Sequence, residues 1–188
     1  MKVLVTGYTG QLGFDVIREL KARNIECIGT IRNEFSLTDT EKMQAFVKAY
    51  KPDAVIHCAA YMNVNEAEDN KDLCMLVNYS STKELAKICK EIDAKMIYIS
   101  TDYVFAGSGE GFYEINNDKE PQNVYGKSKL KGELAIQKIL DKYFIIRTSW
   151  LFGINGNNFI KYVLSEQKKG NKLRIVNDQI GSQLIQWI

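Results

Sequence analysis

Apolar residues along this chain fall into two alternating rhythms. Short β-branched runs at 3–5, 25–28, 54–58, 96–99, 144–146 and 173–176 read as strands. Between them, over 11–23, 38–50, 71–92, 123–140 and 158–168, apolar positions recur every three to four residues, as on one face of a helix. In the first of these stretches Leu12, Val16, Ile17 and Leu20 carry that face. Six strands alternating with helices predict an α/β fold, a doubly wound parallel sheet covered on both faces. Thr38 with Glu41 three residues on predicts a capping-box start for the second helix, and Pro52 lies just past its end. Residues 103–122 break the rhythm. With Gly107, Gly109, Gly111, Asn116, Asn117 and Pro121 they predict a long loop, and loops of that length in compact domains are usually functional.

Composition narrows the class. At 188 residues, 45% hydrophobic and with two prolines, the chain can bury one substantial core, and one domain is expected. The formal net charge is +2 and the lysines are spread over several helical surfaces, so nucleic acid is not the expected partner. Cys27, Cys58, Cys74 and Cys89 form no C-x-x-C pair, and His57 is the single histidine, so no metal site is expected. The cysteines read as buried thiols in a reducing cytosol. Only three apolar residues precede Thr6 and Gly7, too few for a signal peptide or a membrane span, and a soluble cytoplasmic protein is the expectation.

The chemistry gathers at the predicted strand ends. Gly7, Gly10 and Gly13 follow the first strand and open the first helix, in the order strand, glycine turn, helix that seats a pyrophosphate on backbone N–H groups. The spacing G-x-x-G-x-x-G is looser than the common dinucleotide fingerprint, and ordinary turn punctuation fits the glycines taken alone. The flanking strand and helix favour a nucleotide-binding, Rossmann-like domain. After the third strand come Cys58, Ala59, Ala60 and Tyr61, small enough at the alanines for a dinucleotide to pass close to the backbone. After the fourth come Ser100, Thr101, Asp102 and Tyr103. Tyr125 and Lys129, four apart, share one helical face. A phenol with an ordinary pKa of about 10 is a poor proton exchanger near neutrality, and an ammonium beside it would favour the phenolate. Taken alone, the pair also fits a solvated helix face.

These residues together carry a family resemblance. The chain resembles the extended short-chain dehydrogenase/reductases, and within them the branch that reduces dTDP-4-dehydrorhamnose, over residues 1 to about 182. The matching segments are VTGYTGQLG at the start, CAAYMNVNEAE at 58–68, VN at 77–78, STDYVFAG at 100–107, VYGKSKLKGE at 124–133, RTSWLFG at 147–153 and VNDQIGS at 176–182. The resemblance implies that Gly7, Gly10, Gln11, Leu12 and Gly13 hold a cofactor pyrophosphate and that Ala59, Ala60 and Tyr61 flank its ribose. It implies a catalytic trio of Thr101, Tyr125 and Lys129, with Tyr125 and Lys129 also meeting the cofactor, and Asn78 supporting the lysine through a helix and a water. Asp102, Tyr103 and Trp150 would touch a dTDP-sugar whose C4 ketone receives a hydride while Tyr125 supplies the proton.

Three positions depart from the family pattern. Ser36 stands where an aspartate is usual, Met62 replaces a threonine, and 29–32 hold no acid for a ribose 2′-hydroxyl. Arg32 there suits a 2′-phosphate, which favours NADPH over NADH, although a solvated loop charge is the plainer alternative. Tyr103 stands where dehydratases of this group place a glutamate, which argues for plain ketone reduction over epimerase or dehydratase chemistry. A non-catalytic NAD(P)-binding regulatory subunit is the remaining alternative.

The pattern also ends abruptly. After Gly181 and Ser182 the family continues Pro-Thr-Tyr into a substrate-binding lobe, whereas Gln183, Leu184, Ile185, Gln186, Trp187 and Ile188 stand here. Reverse translation with one added base restores Pro-Thr-Tyr, compatible with a single-base deletion; a shortened chain or a natural short paralogue is the alternative. The expected organisation is a 1–182 NAD(P)-binding domain with the substrate lobe largely missing and an aberrant tail at 183–188. Cofactor binding with low turnover, and self-association as a homodimer through apolar surface left exposed, are the resulting expectations.

Overall fold

A computed structural model describes residues 1–32, 35–108, 111–181 and 184–185. Five parallel strands form the sheet: β1 (Lys2–Thr6), β2 (Glu26–Thr30), β3 (Ala54–His57), β4 (Lys95–Thr101) and β5 (Tyr143–Thr148), in the order β2-β1-β3-β4-β5. The register runs in step, with Val3 opposite Cys27 on one side and Ala54 on the other. The crossovers are α1 (Gln11–Ala22), α2 (Thr40–Tyr50), a helical succession after β3, and α6 (Val124–Ile139).

Strand alternation divides the core. Leu4, Val55, Met96 and Tyr98 face Met43 and Val47 of α2, Leu85, Ala86, Ile88 and Cys89 of α5 (Ser81–Glu91), and Ile136 of α6. Val3, Val5 and Ile56 face the other way, onto Val16, Ile17 and Leu20 of α1. Helices thus lie on both sides, as the doubly wound reading expects. The chain steps from β1 outward to β2 and then back past β1 to β3, and ligands of open α/β sheets bind beyond the strand ends where that reversal occurs.

Several local expectations are corrected. The helix expected over 71–92 runs as α4 (Lys71–Met75), a π-helical turn (Leu76–Ser80) and α5. The wide turn leaves the Asn78 carbonyl to accept from the Thr82 hydroxyl at 2.8 Å and from the Tyr98 hydroxyl at 3.3 Å. Helix α2 is capped by Asp39, whose carboxylate accepts from the Lys42 N–H at 3.1 Å, and Thr38 instead bonds Ser36. A short helix α3 (Val64–Asp69), capped by Asn63, is absent from the sequence expectation, because six residues carry too little periodicity to register.

The largest correction is the sixth strand. Residues 173–176 form no strand and lie mostly exposed, so β5 is the edge of the sheet among the described residues. An apolar β-branched run needs a partner strand or a core face before its pattern becomes a strand, and here it meets neither. A two-residue strand β6 (Leu151–Phe152) pairs instead with β7 (Leu184–Ile185). Of the expected aberrant tail, positions 183 and 186–188 lie outside the described residues. No helix among the described residues is long and apolar enough to cross a membrane.

Candidate functional site

The first strand delivers its last residue, Thr6, into a hydrogen-bonded floor. The Ala59 N–H donates to Thr6 Oγ1 at 3.1 Å, and Thr6 Oγ1 lies 2.7 Å from His57 Nδ1. On the far side His57 Nε2 lies 3.2 Å from Thr82 Oγ1, whose proton goes to the Asn78 carbonyl. Because each hydroxyl has one proton to give, Thr6 donates to Nδ1 and the imidazole carries its own proton on Nε2. Burial holds His57 neutral, its pKa pushed down to about 3. His57 is therefore a structural link between the ends of β1 and β3 and not a ligand.

Above this floor the glycine turn closes on itself. Gly7 sits at φ +67°, and a Cβ there would come within 2.9 Å of the Ala59 Cα. A Cβ on Gly13 would lie 2.4 Å from the Gly7 carbonyl oxygen, so α1 approaches the turn as closely as backbone allows. Helix α1 starts at Gly10 with no side-chain cap, leaving its first N–H groups for a ligand.

Two cavities meet over that turn, both touching Gly7, Gly10, Cys58, Ala60 and Met62. One, about 490 Å³, runs past Arg32, Ser36 and Leu37 and takes in Ala59 and Tyr61. The other, about 320 Å³, runs past Gln11, Leu12 and Gly13 to Thr101, Asp102, Tyr103, Tyr125, Lys129 and Trp150. Every residue expected to touch cofactor or substrate lines one or both. Two lobes joined at a glycine-lined neck with free helix N–H groups have the form a dinucleotide would fill. The residues fit that group.

Gln11 lines the second cavity at the start of α1, and its side chain has a further part. Its side chain donates to the Leu151 carbonyl at 2.9 Å and accepts from Asn158 at 2.9 Å, tying the glycine turn to the C-terminal segment. Asn155 adds bonds to the Thr9 and Gly10 carbonyls at 3.1 and 3.2 Å.

The Tyr125 and Lys129 pair also differs in physical detail. Lys129 is buried; its ammonium donates to the Ile99 carbonyl at 2.6 Å and lies 4.0 Å from the centre of the Tyr98 ring. Burial lowers its pKa to about 7, and the charge of Glu133 pulls the other way. Tyr125 is pushed up to about 12 by burial, with the Thr101 hydroxyl countering. Burial thus outweighs the lysine's pull on the phenol, and Tyr125 keeps its proton near neutrality. That is the form required of a proton donor. Tyr103 packs edge-on against Tyr125, ring centres 5.9 Å apart, and burial raises the Asp102 carboxyl above its ordinary range.

Asn78 is joined to the residues around the lysine through its side chain and its carbonyl. Its side chain accepts from the Tyr61 N–H at 2.8 Å and donates to the Tyr61 carbonyl at 3.0 Å and to Ser128 Oγ at 2.9 Å. Its carbonyl holds the Tyr98 hydroxyl, and the Tyr98 ring lies under Lys129.

Sequence reasoning missed Tyr98, Glu133 and Arg147. Glu133, 1% exposed, is gripped by the Arg147 guanidinium through Nε at 3.0 Å and Nη2 at 2.6 Å, and accepts from Ser100 Oγ at 2.5 Å. Arg147 also donates to the Ile115 carbonyl at 3.3 Å and stacks over Phe105, itself stacked on Tyr113. The signal was an apolar helix face interrupted by a carboxylate, and an arginine inside a strand.

Comparison with known proteins agrees with this geometry. A family model described as RmlD substrate binding domain matches residues 1–183. The dTDP-4-dehydrorhamnose reductase of Salmonella typhimurium is 36% identical over 185 residues, 97% of this chain and 62% of that protein. The spore coat polysaccharide biosynthesis protein SpsK of Bacillus subtilis is 38% identical over 96% of this chain and 64% of its own length. The crystal structure of dTDP-4-dehydrorhamnose reductase from Bacillus anthracis in complex with NADP superposes with a TM-score of 0.95 at 37% identity, covering 98% of this chain and 66% of that one. The chain thus spans just under two thirds of the length of these relatives. A UDP-glucose 4-epimerase from Thermus thermophilus, 22% identical with a TM-score of 0.80, shares the fold. Matched over residues 1–183, the chain belongs to the RmlD substrate-binding-domain family.

Proposed function

We propose that this chain carries the cofactor and proton-transfer half of a cytoplasmic NADPH-dependent reductase for the C4 ketone of dTDP-4-dehydro-L-rhamnose. The observation that carries the reading is the opening of Thr101, Tyr125 and Lys129 into one cavity with the uncapped start of α1. Gly7, Gly10, Gln11, Leu12 and Gly13 would hold the pyrophosphate, Ala59, Ala60 and Tyr61 the ribose, and Arg32 a 2′-phosphate. When bound, the reduced nicotinamide supplies a hydride.

The residues of the chain do the rest. Tyr125, protonated well beyond neutral pH, gives its phenolic proton to the oxygen that gains charge. Thr101 Oγ1 now donates to Asp102 at 3.1 Å and can turn to hold that same oxygen. Lys129 brings a positive field that strengthens whenever it binds a proton. Asp102, Tyr103 and Trp150 shape the wall where the nucleotide-sugar would lie. The Bacillus anthracis reductase in complex with NADP supports the choice of cofactor.

Parallel titrations with NADPH and NADH, with and without the nucleotide-sugar, test this reading. NADPH is expected to bind at least about tenfold tighter, a difference of about 1.4 kcal/mol, and Arg32→Ala to erase most of it. Tyr125→Phe is expected to cut reduction by about 10²–10⁴ and leave cofactor affinity near wild type. Equal reduction by Tyr125→Phe would overturn the assignment in favour of a binding-only role.

A further inference from the structure

We propose that Glu133 and Arg147 are a positioning pair for Lys129: their two-point bridge takes up the carboxylate one helical turn beyond the lysine and so decides how firmly that amine holds a proton. The inference rests on the reading that Lys129 faces the cofactor. Three observations carry it.

First, Glu133 follows Lys129 by four residues on α6 and both are almost wholly buried, so they share a face with little solvent between them. Second, the carboxylate is already engaged: Arg147 grips both oxygens and Ser100 adds a third bond. Lys129 is left with a carbonyl and an aromatic ring, partners that hold an ammonium without neutralising it. Third, Arg147 is 18% exposed and also fastens Ile115 and Phe105, so the bridge lies where the long loop meets the helix.

The other titratable groups around the amine are Tyr125 on α6, Tyr98 on β4, His57 and Cys58 at the end of β3, and Cys74 on α4. Burial keeps His57 uncharged and the Cys58 thiol and both phenols protonated near neutrality. The bridge itself brings a carboxylate and a guanidinium to the lysine's face of the helix, and Asp102 lies across the same cavity.

The test is a pH titration of Lys129 by ¹³Cε-lysine NMR on the whole chain without cofactor, its resonance assigned with Lys129→Met. Glu133→Gln should lower the midpoint, because the guanidinium remains without its counter-charge. Arg147→Met should raise it, because the carboxylate then turns to the lysine. Each shift should be about one pH unit, a tenfold change in proton affinity, and the double variant should return toward wild type. Arg147→Lys, which keeps the charge, should leave the midpoint in place, and paired with Glu133→Gln it serves if Arg147→Met does not fold. Midpoints that stay put, or that move in the same direction in both single variants, would overturn the proposal and leave the bridge a structural clamp. The pH profile of NADPH affinity should follow the NMR midpoint in each variant. A wild-type chain that binds no NADPH at any pH would sink the functional reading while leaving the order of midpoints readable.

Discussion

Helices α5 and α7 (Phe159–Lys168) have nearly equal length and both carry apolar residues along a face, yet their surroundings are opposite. Helix α5 buries Ser81, Thr82, Leu85, Ala86, Ile88 and Cys89 between α2, α6 and the sheet. Helix α7 buries nothing, and Phe159, Ile160, Tyr162 and Leu164 stay exposed. The division extends beyond the two helices: the last buried residue among those described is Leu140. The C-terminal segment beyond β5 is fastened mainly through polar groups, with Gln11 to Leu151, Asn155 to the glycine turn and Asn158 to Gln11. An amphipathic pattern makes a helix in either place, but only a facing surface turns that pattern into stability.

Core truncation should separate the regions most sharply. Leu85→Ala, fully buried, is expected to cost about 2–5 kcal/mol in urea unfolding. Leu164→Ala on α7 is expected to stay within about 0.5 kcal/mol. Similar losses at both would show that α7 has a packing partner and would dissolve the contrast.

Acid should act on the first region through His57. Its folded pKa of about 3 lies below the unfolded value near 6.5, so the contribution is complete above pH 6.5 and is lost as pH falls toward 3. The expected slope is on the order of 1 kcal/mol per pH unit in that window, checked by urea unfolding of wild type against His57→Gln. A wild-type profile no steeper than the variant's would refute it.

Caps give the finest comparison. Asn123 accepts from the Gly126 N–H at 2.7 Å and Asn158 from the Lys161 N–H at 3.0 Å. Asn123→Ala should cost about 1 kcal/mol of global stability. Asn158→Ala should leave global unfolding nearly unchanged and instead speed amide exchange within α7.

Much of this division was hidden in the pattern of residues. Strands at 3–5 and 96–99 and helices such as 11–23 were legible because the apolar pattern coincides with burial there, whereas 144–146 forms a strand with Phe144 and Ile146 exposed. The run at 173–176 has the same β-branched composition, but nothing local encodes the missing neighbour, so periodicity alone overstates it. In the site, Gly7, Gly13, Thr101, Tyr125 and Lys129 were legible because each stands at the end of a strand or the head of a helix. Glu133 and Arg147 were not, since a bridge between residues 14 apart exists only once α6 lies against β5. The electrostatic balance was also out of reach. Sequence puts a phenol beside an amine, but burial, which sets both protonation states, is a property of the packed chain.

The run of polar groups from Ala59 through Thr6, His57 and Thr82 to Asn78 has one further consequence. Every proton in it points the same way, and each acceptor is filled by the donor before it. The sheet ends beneath the crevice therefore behave as a keyed joint: a backbone N–H at one end and a backbone carbonyl at the other fix the direction of every link between them, so a lone polar substitution there cannot be absorbed by the turn of a neighbouring hydroxyl.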